Sequence, residues 1–290
     1  MTNRTWGVIA VVLIAPQLYG CNRATPSPTA PTTTAGSPAL PAGGLLMMGT
    51  VSDTAFRPLG GAKVEVLDGP QTGLTTTANE LGEFSLTGIF DDATRFRATK
   101  EGHITATQLL GPDCARCNPN RWVHFALELL TSSISISGDY TLEFVADNAC
   151  TMLPSEVRSR IFTTMIPPAP NATPATPYFT VLVGATFFED WNTVALGIAG
   201  DYVAFWLETV VEQIPPNTFL AFGGQAAASV GTSHMSTISL PFAGSIEYCV
   251  TESEQGRFQE CYQGHPATHA RCESNNHRLI LTRRAAALAK

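Results

Sequence analysis

From residue 45 onward the chain is built of short apolar runs, rich in Val, Ile, Thr and Phe. Gly, Pro or Asn cuts them at roughly 8–12-residue intervals, the spacing of strands in an all-β domain. Within the runs the polarity alternates. Ala62, Val64 and Val66 face Lys63, Glu65 and Leu67; Tyr140, Leu142 and Phe144 face Thr141 and Glu143. Successive side chains of a strand point to opposite faces, so this pattern requires half-buried strands. Only Leu153 to Arg160, opening on Pro154-Ser155-Glu156, reads as one or two helical turns. The expected fold class is all-β. Seven strands over 45–130 form an N-terminal β-sandwich, and Thr131 to Ile136 is a link. Roughly eight strands over 137–284, with Phe219–Phe222 and Ala226–Val230 counted separately, form a C-terminal antiparallel barrel or sandwich. Residues 285–290 read as a frayed tail.

The segment before residue 45 is different. Arg4 precedes an apolar run, Gly7 to Ala15, that is about half the ~20 residues needed to cross a bilayer. Leu18-Tyr19-Gly20-Cys21 follows. A basic head, a short apolar core and a small residue before a cleavage point are the parts of a secretory signal. With a cysteine directly after the small residue, residues 1–20 resemble a bacterial lipoprotein signal peptide. Tyr19 departs from the small residue usual at its position. The resemblance implies cleavage before Cys21 and acylation of that cysteine, hence membrane lipid as a partner and a cell-envelope location. Asn22, where Asp would retain such a protein at the inner membrane, implies the outer membrane. Residues 21–44, which open on Cys21, are mostly Thr, Pro, Ser, Ala and Gly with almost no apolar bulk, a composition that favours an extended tether.

Gly49-x-Val51-x-Asp53, Pro58, Gly61-Ala62-x-Val64-x-Val66, Thr75-Thr76-Thr77, Gly82-x-Phe84-x-Leu86 and Ala98-x-x-x-Gly102 together resemble the carboxypeptidase regulatory-like domain. This is a transthyretin-like sandwich of the carbohydrate-binding-like class. Asn79 stands where Asp is usual, and His103 where Tyr is common. The resemblance implies a fold and brings no zinc site or enzymatic activity. Gly49 and Gly61 are expected at tight turns. Gly138-Asp139-Tyr140 is similar to the Gly-x-Trp strand of lipocalin-like barrels, with Tyr for Trp. The region also resembles an uncharacterised module that follows such sandwiches in bacterial lipoproteins.

Seven cysteines are present, and setting Cys21 aside leaves Cys114, Cys117, Cys150, Cys249, Cys261 and Cys272. An even number in an exported chain predicts disulfides, with the pairing open. Two groupings have metal-like spacing: Cys114-x-x-Cys117, and Cys261-x3-His265-x3-His269-x2-Cys272. Cys114-x-x-Cys117 lies in a Gly/Pro/Asn-rich loop of an exported chain, and Gly264 and Pro266 break any helix that would align His265 with His269, so disulfides are the preferred reading of both groupings. No metal and no other cofactor is expected.

Charged residues make up only 14% of the chain, the net charge is −7, and no Lys/Arg cluster occurs, which argues against nucleic acid as a partner. Ala227-Ala228-Ser229-Val230-Gly231 echoes a nucleophile elbow, but no strand-to-helix turn is predicted there. The carboxylates Glu189-Asp190 and Glu252/Glu254 read as loop charge. An enzyme, such as a hydrolase, is the remote alternative. Tyr140, Tyr202, Phe205, Trp206 and Phe222 are aromatic positions that either fill the barrel or line a ligand cavity. The expected function is that of a non-catalytic binding protein for a glycan, a small apolar molecule or an envelope protein. A structural role in an envelope assembly is the second reading.

Overall fold

The computed structural model describes residues 45–91, 93–110, 121–168, 178–183, 193–231, 236–252, 257–258, 260–263 and 268–284. The signal-like segment with Cys21, the tether, Cys114, Cys117, Glu189, Asp190, His265 and the tail lie outside them. Among the described residues the architecture is almost entirely β, and no helix is long and apolar enough to cross a membrane.

The N-terminal part has seven strands: β1 (Leu45–Asp53), β2 (Lys63–Val66), β3 (Thr75–Thr77), β4 (Glu83–Gly88), β5 (Arg95–Thr99), β6 (Ala106–Leu109) and β7 (Arg121–Leu127). They pair as two sheets, β4-β1-β7 and β3-β2-β5-β6. The inward positions Met47, Val51, Val64, Val66, Phe84, Phe96 and Phe125 bury one continuous core. Gly61 takes the left-handed φ of +73° that a turn needs. Gly49 has another role. It sits inside β1, and a Cβ there would come within 2.1 Å of the Val123 carbonyl oxygen, so glycine is needed for close strand approach.

The next eight strands form a closed antiparallel ring. They are β8 (Gly138–Val145), β9 (Ser159–Ile166), β10 (Tyr178–Val183), β11 (Thr193–Ala199), β12 (Tyr202–Ile214), β13 (Thr218–Ser229), β14 (Thr237–Val250) and β15 (Thr268–Arg283). Each pairs with its neighbour in sequence, and β15 returns to β8. The helical turn expected near residue 155 is a single 3-10 turn, Ser155–Val157. The stretch read as two strands is one, β13, running through Gly223 and Gly224. Cross-strand ladders to β12 and β14 hold the glycines in line, a tertiary effect that overrides their low strand preference.

Phe144 is central to the barrel interior. It stacks on Phe222 at 4.4 Å between ring centroids and meets Phe162 and Phe242 edge-on at 5.9 and 5.8 Å. Leu142, Phe205, Leu240, Leu279 and Leu281 pack around it. One end is closed by Tyr140. Its hydroxyl accepts a hydrogen bond from Arg283 Nη2 at 2.7 Å, and the guanidinium also lies 5.0 Å over the ring. Gly138, at φ +140°, leaves room for that arginine, because a Cβ would lie 2.6 Å from Nη1. Toward the other end, Arg160 of β9 pairs with the buried Glu212 of β12, donating from Nε to Oε2 at 2.8 Å.

The loop after β1 ties the sheets to the barrel. The buried Asp53 accepts hydrogen bonds from the Ala55 and Arg57 amides, and that fold aims Thr54 Oγ1 at the Ile198 carbonyl of β11. Ala55 packs on Ala199 and Ala204. The contact is close enough that a Cβ on Gly197 would lie 2.4 Å from the Thr54 carbonyl oxygen.

Candidate functional site

The five aromatic positions singled out from the sequence do not form one lining. Tyr140, Phe205 and Phe222 are at most 2% exposed and belong to the packed interior. Tyr202 carries the Arg57 guanidinium 4.6 Å over its ring, at the loop contact. Trp206 faces outward and is half exposed. Of the two readings, filling the barrel holds for Tyr140, Phe205 and Phe222, and the five do not line one ligand cavity. On β12, Phe205 and Trp206 are of opposite parity, so one fills the core and the other is external.

Four cysteines pair as Cys150–Cys272 and Cys249–Cys261. The grouping Cys261, His265, His269 and Cys272 is thereby dissolved, because its two cysteines belong to different disulfides and His269 turns to Glu247. Ser229 lies at the end of β13, in a strand and not at an elbow. Glu252 is exposed. Among the described residues, one set of His, Cys or acidic atoms lies close enough to hold a metal: Cys150, Cys272 and His277. Its two sulfurs are bonded to each other, so it is a disulfide with a histidine beside it.

His277 is fully buried against Phe242. Its Nδ1 accepts the Asp147 amide hydrogen at 2.9 Å, and among the described residues Nε2 has no partner in good hydrogen-bonding geometry. Accepting at Nδ1 fixes the neutral tautomer with its proton on Nε2. Burial pushes the histidine below its ordinary pKa, against a smaller opposing pull from backbone carbonyls and Asp147. The unfolded chain gains a proton near pH 6.5 while the folded chain does not. His277 therefore adds stability at neutral pH that is lost as pH falls below about 6.5. Urea unfolding at pH 7.5 and pH 5 should show that loss, and His277→Gln should reduce it. Equal loss in both proteins would assign it elsewhere.

The outer face of β12 to β15 carries a different feature, a groove of about 450 Å³. Its floor is made by glycines. Gly223 and Gly244 raise no side chain, and the two strands are pinched there so tightly that a Cβ on Gly244 would lie 2.2 Å from the Gly223 carbonyl oxygen. Ladder irregularities between Leu207 and Val210 and between Phe242 and Gly244 bend the strands beside it. Glu208, Thr209, Ser245, Ser274 and Asn275 supply polar walls.

Glu247 lies at the back, only 4% exposed. Its Oε2 accepts the Tyr262 hydroxyl at 2.7 Å, and its Oε1 faces His269 Nε2 at 2.6 Å. Each oxygen thus has a partner, as a buried carboxylate requires. Loss of water around the Tyr262 phenol, then its hydrogen bond to Glu247 and that residue's charge, push its pKa well above the usual tyrosine range. The Tyr262 ring is 57% exposed at the rim. It sits on the one-turn helix α1 (Glu260–Gln263), edge-on to Phe258 at 5.3 Å. Phe258 packs with Val211, Phe219 and Ala221, external residues of the barrel wall, and with Cys249–Cys261. Arg271, on the remaining side, is drawn to Glu273 at 2.7 Å.

Of this site the sequence reading named only His269, and in another role. Glu247, Tyr262, Gly223 and Gly244 carried no recognisable spacing. The one available signal was parity on a strand, since Ser245, Glu247 and Cys249 share a face of β14. Comparison of the chain with protein-family models, curated proteins and solved structures finds no match.

Proposed function

We propose that this is a lipid-anchored cell-envelope protein that binds a glycan in the groove on the outer face of its barrel. Acylation of Cys21 and the tether of residues 21–44 would hold the folded part away from the bilayer, at the outer membrane. In this reading the N-terminal sheets are a carboxypeptidase regulatory-like sandwich and the ring is a lipocalin-like barrel whose interior has become a core. The observation that carries the binding proposal is the pairing of a buried carboxylate with an exposed aromatic ring. Glu247 offers acceptor oxygens at the back of the groove, and Tyr262 offers a flat apolar face at its rim. A sugar ring presents the same two chemistries, hydroxyls at its edge and C–H bonds on its face. Hydroxyl, amide and charged side chains line most of the rest, which favours a glycan over a small apolar molecule. The volume falls within the roughly 300–1,000 Å³ of ordinary ligand sites.

Gly223→Val tests this. A Cβ at Gly223 meets nothing nearer than 3.4 Å, so the substitution raises the floor with little disturbance to the strand. A glycan array, followed by calorimetry on the detergent-extracted full chain, should find a ligand whose affinity falls at least tenfold in the variant. The unfolding midpoint should stay close to wild type. Equal binding by both proteins would remove the groove from the proposal. The intact mass of the same preparation reads the acyl chains, and a mass without them removes the anchor.

A structural role in an envelope assembly is favoured by one observation. Ile161 and Met165 stand 63% and 59% exposed on one face of β9.

A further inference from the structure

We infer that the Cys249–Cys261 disulfide is a latch that assembles the groove, so that the chain gains its site only after reaching an oxidising compartment. The inference takes the groove as the binding site and concerns how that site is made. Tyr262 belongs to a helix of four residues. A single turn does not hold its shape alone, because nucleation fixes several residues for one hydrogen bond. Its placement depends on attachments to the barrel. Among the described residues these are the packing of Phe258 on Val211, Phe219 and Ala221, the Tyr262–Glu247 hydrogen bond, the Tyr262–His269 ring contact and the disulfide. The hydrogen bond joins two residues whose neighbours are already tied. Cys261 directly precedes Tyr262, and Cys249 lies two positions beyond Glu247 on the same face of β14. The covalent bond therefore sets the phenol within reach of the carboxylate. Without it, the placement of α1 would rest on the Phe258 packing and on the contacts of Tyr262 with Glu247 and His269.

The barrel has no such dependence. Its ladders run along β13, β14 and β15 on both sides of Cys249. Its interior packing is separate from the external cluster that holds the latch. Closure is a thiol–disulfide exchange. Cys249 and Cys261 each give up a thiol proton, their sulfurs join, and an oxidant R–S–S–R accepts the two electrons and two protons to leave two R–SH. A reduced chain would carry the barrel with an unwalled groove, and binding would begin with oxidation.

The full chain with Cys249→Ala and Cys261→Ala tests the latch without needing the ligand. Alkaline spectrophotometric titration follows the five tyrosines beyond Cys21. Two of them, Tyr140 and Tyr262, are raised by their surroundings. Tyr262→Phe identifies which late transition is Tyr262. In the double variant that transition should move down to the ordinary tyrosine range, while the near-UV circular dichroism of the packed phenylalanines is retained. Where a glycan has been found, its affinity should fall at least tenfold. A Tyr262 transition left in place would overturn the inference, because the helix would then be held without the bond. Loss of the near-UV signal would overturn it too, because the disulfide would be a staple of the barrel. If the transition moves but neither protein binds any glycan, the latch stands and the glycan reading falls.

Discussion

Replacing Cys150 and Cys272 together by alanine is expected to lower stability by about 5 kcal/mol, the largest single effect foreseen for this protein. The two residues are 122 apart in sequence. In the chain-entropy treatment, a closed loop of that length removes close to 5 kcal/mol of freedom from the unfolded chain. The bond also joins the turn after β8 to the middle of β15, the two strands whose pairing closes the ring. Both cysteines are buried, so the variant loses packing beside His277 as well. Total stabilities of domains are about 5–15 kcal/mol, so the variant should approach the edge of folding at 37 °C. Urea unfolding of both proteins under oxidising conditions measures the difference. A loss below about 1 kcal/mol would mean that the unfolded chain is already held together without the bond.

Phe144→Ala is expected to cost about 3–5 kcal/mol, the range for deleting a buried phenylalanine. Phe144 touches Phe162, Phe222 and Phe242 at once, rings contributed by β9, β13 and β14. Strands on several sides of a closed ring cannot all move inward together, so the space should persist as a cavity. An apolar cavity of this kind stays dry and accepts small aromatic molecules. The variant should therefore be partly restabilised by benzene, a response wild type should not show. Denaturant unfolding with and without benzene checks both. A cost near 1 kcal/mol with no benzene effect would show that the ring collapses to fill the gap.

The two cases also show how far residue pattern reaches. Alternation is local, and it marked β2 and β8 correctly because burial there follows the strand period of two. The even cysteine count pointed to disulfides for a chemical reason, and two are present. Their pairing was not legible, because Cys150 meets Cys272 only through closure of the ring. Local breaker chemistry misled at Gly223-Gly224, where a strand break was expected and a groove floor is found. The aromatic run Tyr202 to Leu207 was visible, but which members point inward depends on which face of β12 closes over the core.

The candidate site was the least legible part. Glu247, Tyr262 and His269 lie on three separate segments, and their types are ordinary for surface positions. What makes Glu247 notable is burial, and burial there comes from α1 lying across β14. The sequence by itself determined an all-β chain stapled by disulfides, because strand alternation and cysteine number are properties of residues in order. The tertiary structure alone decided that the barrel is filled with phenylalanine and that its polar groove lies outside. Both depend on long-range closure, which chooses one face of every strand for the core and leaves the other for solvent.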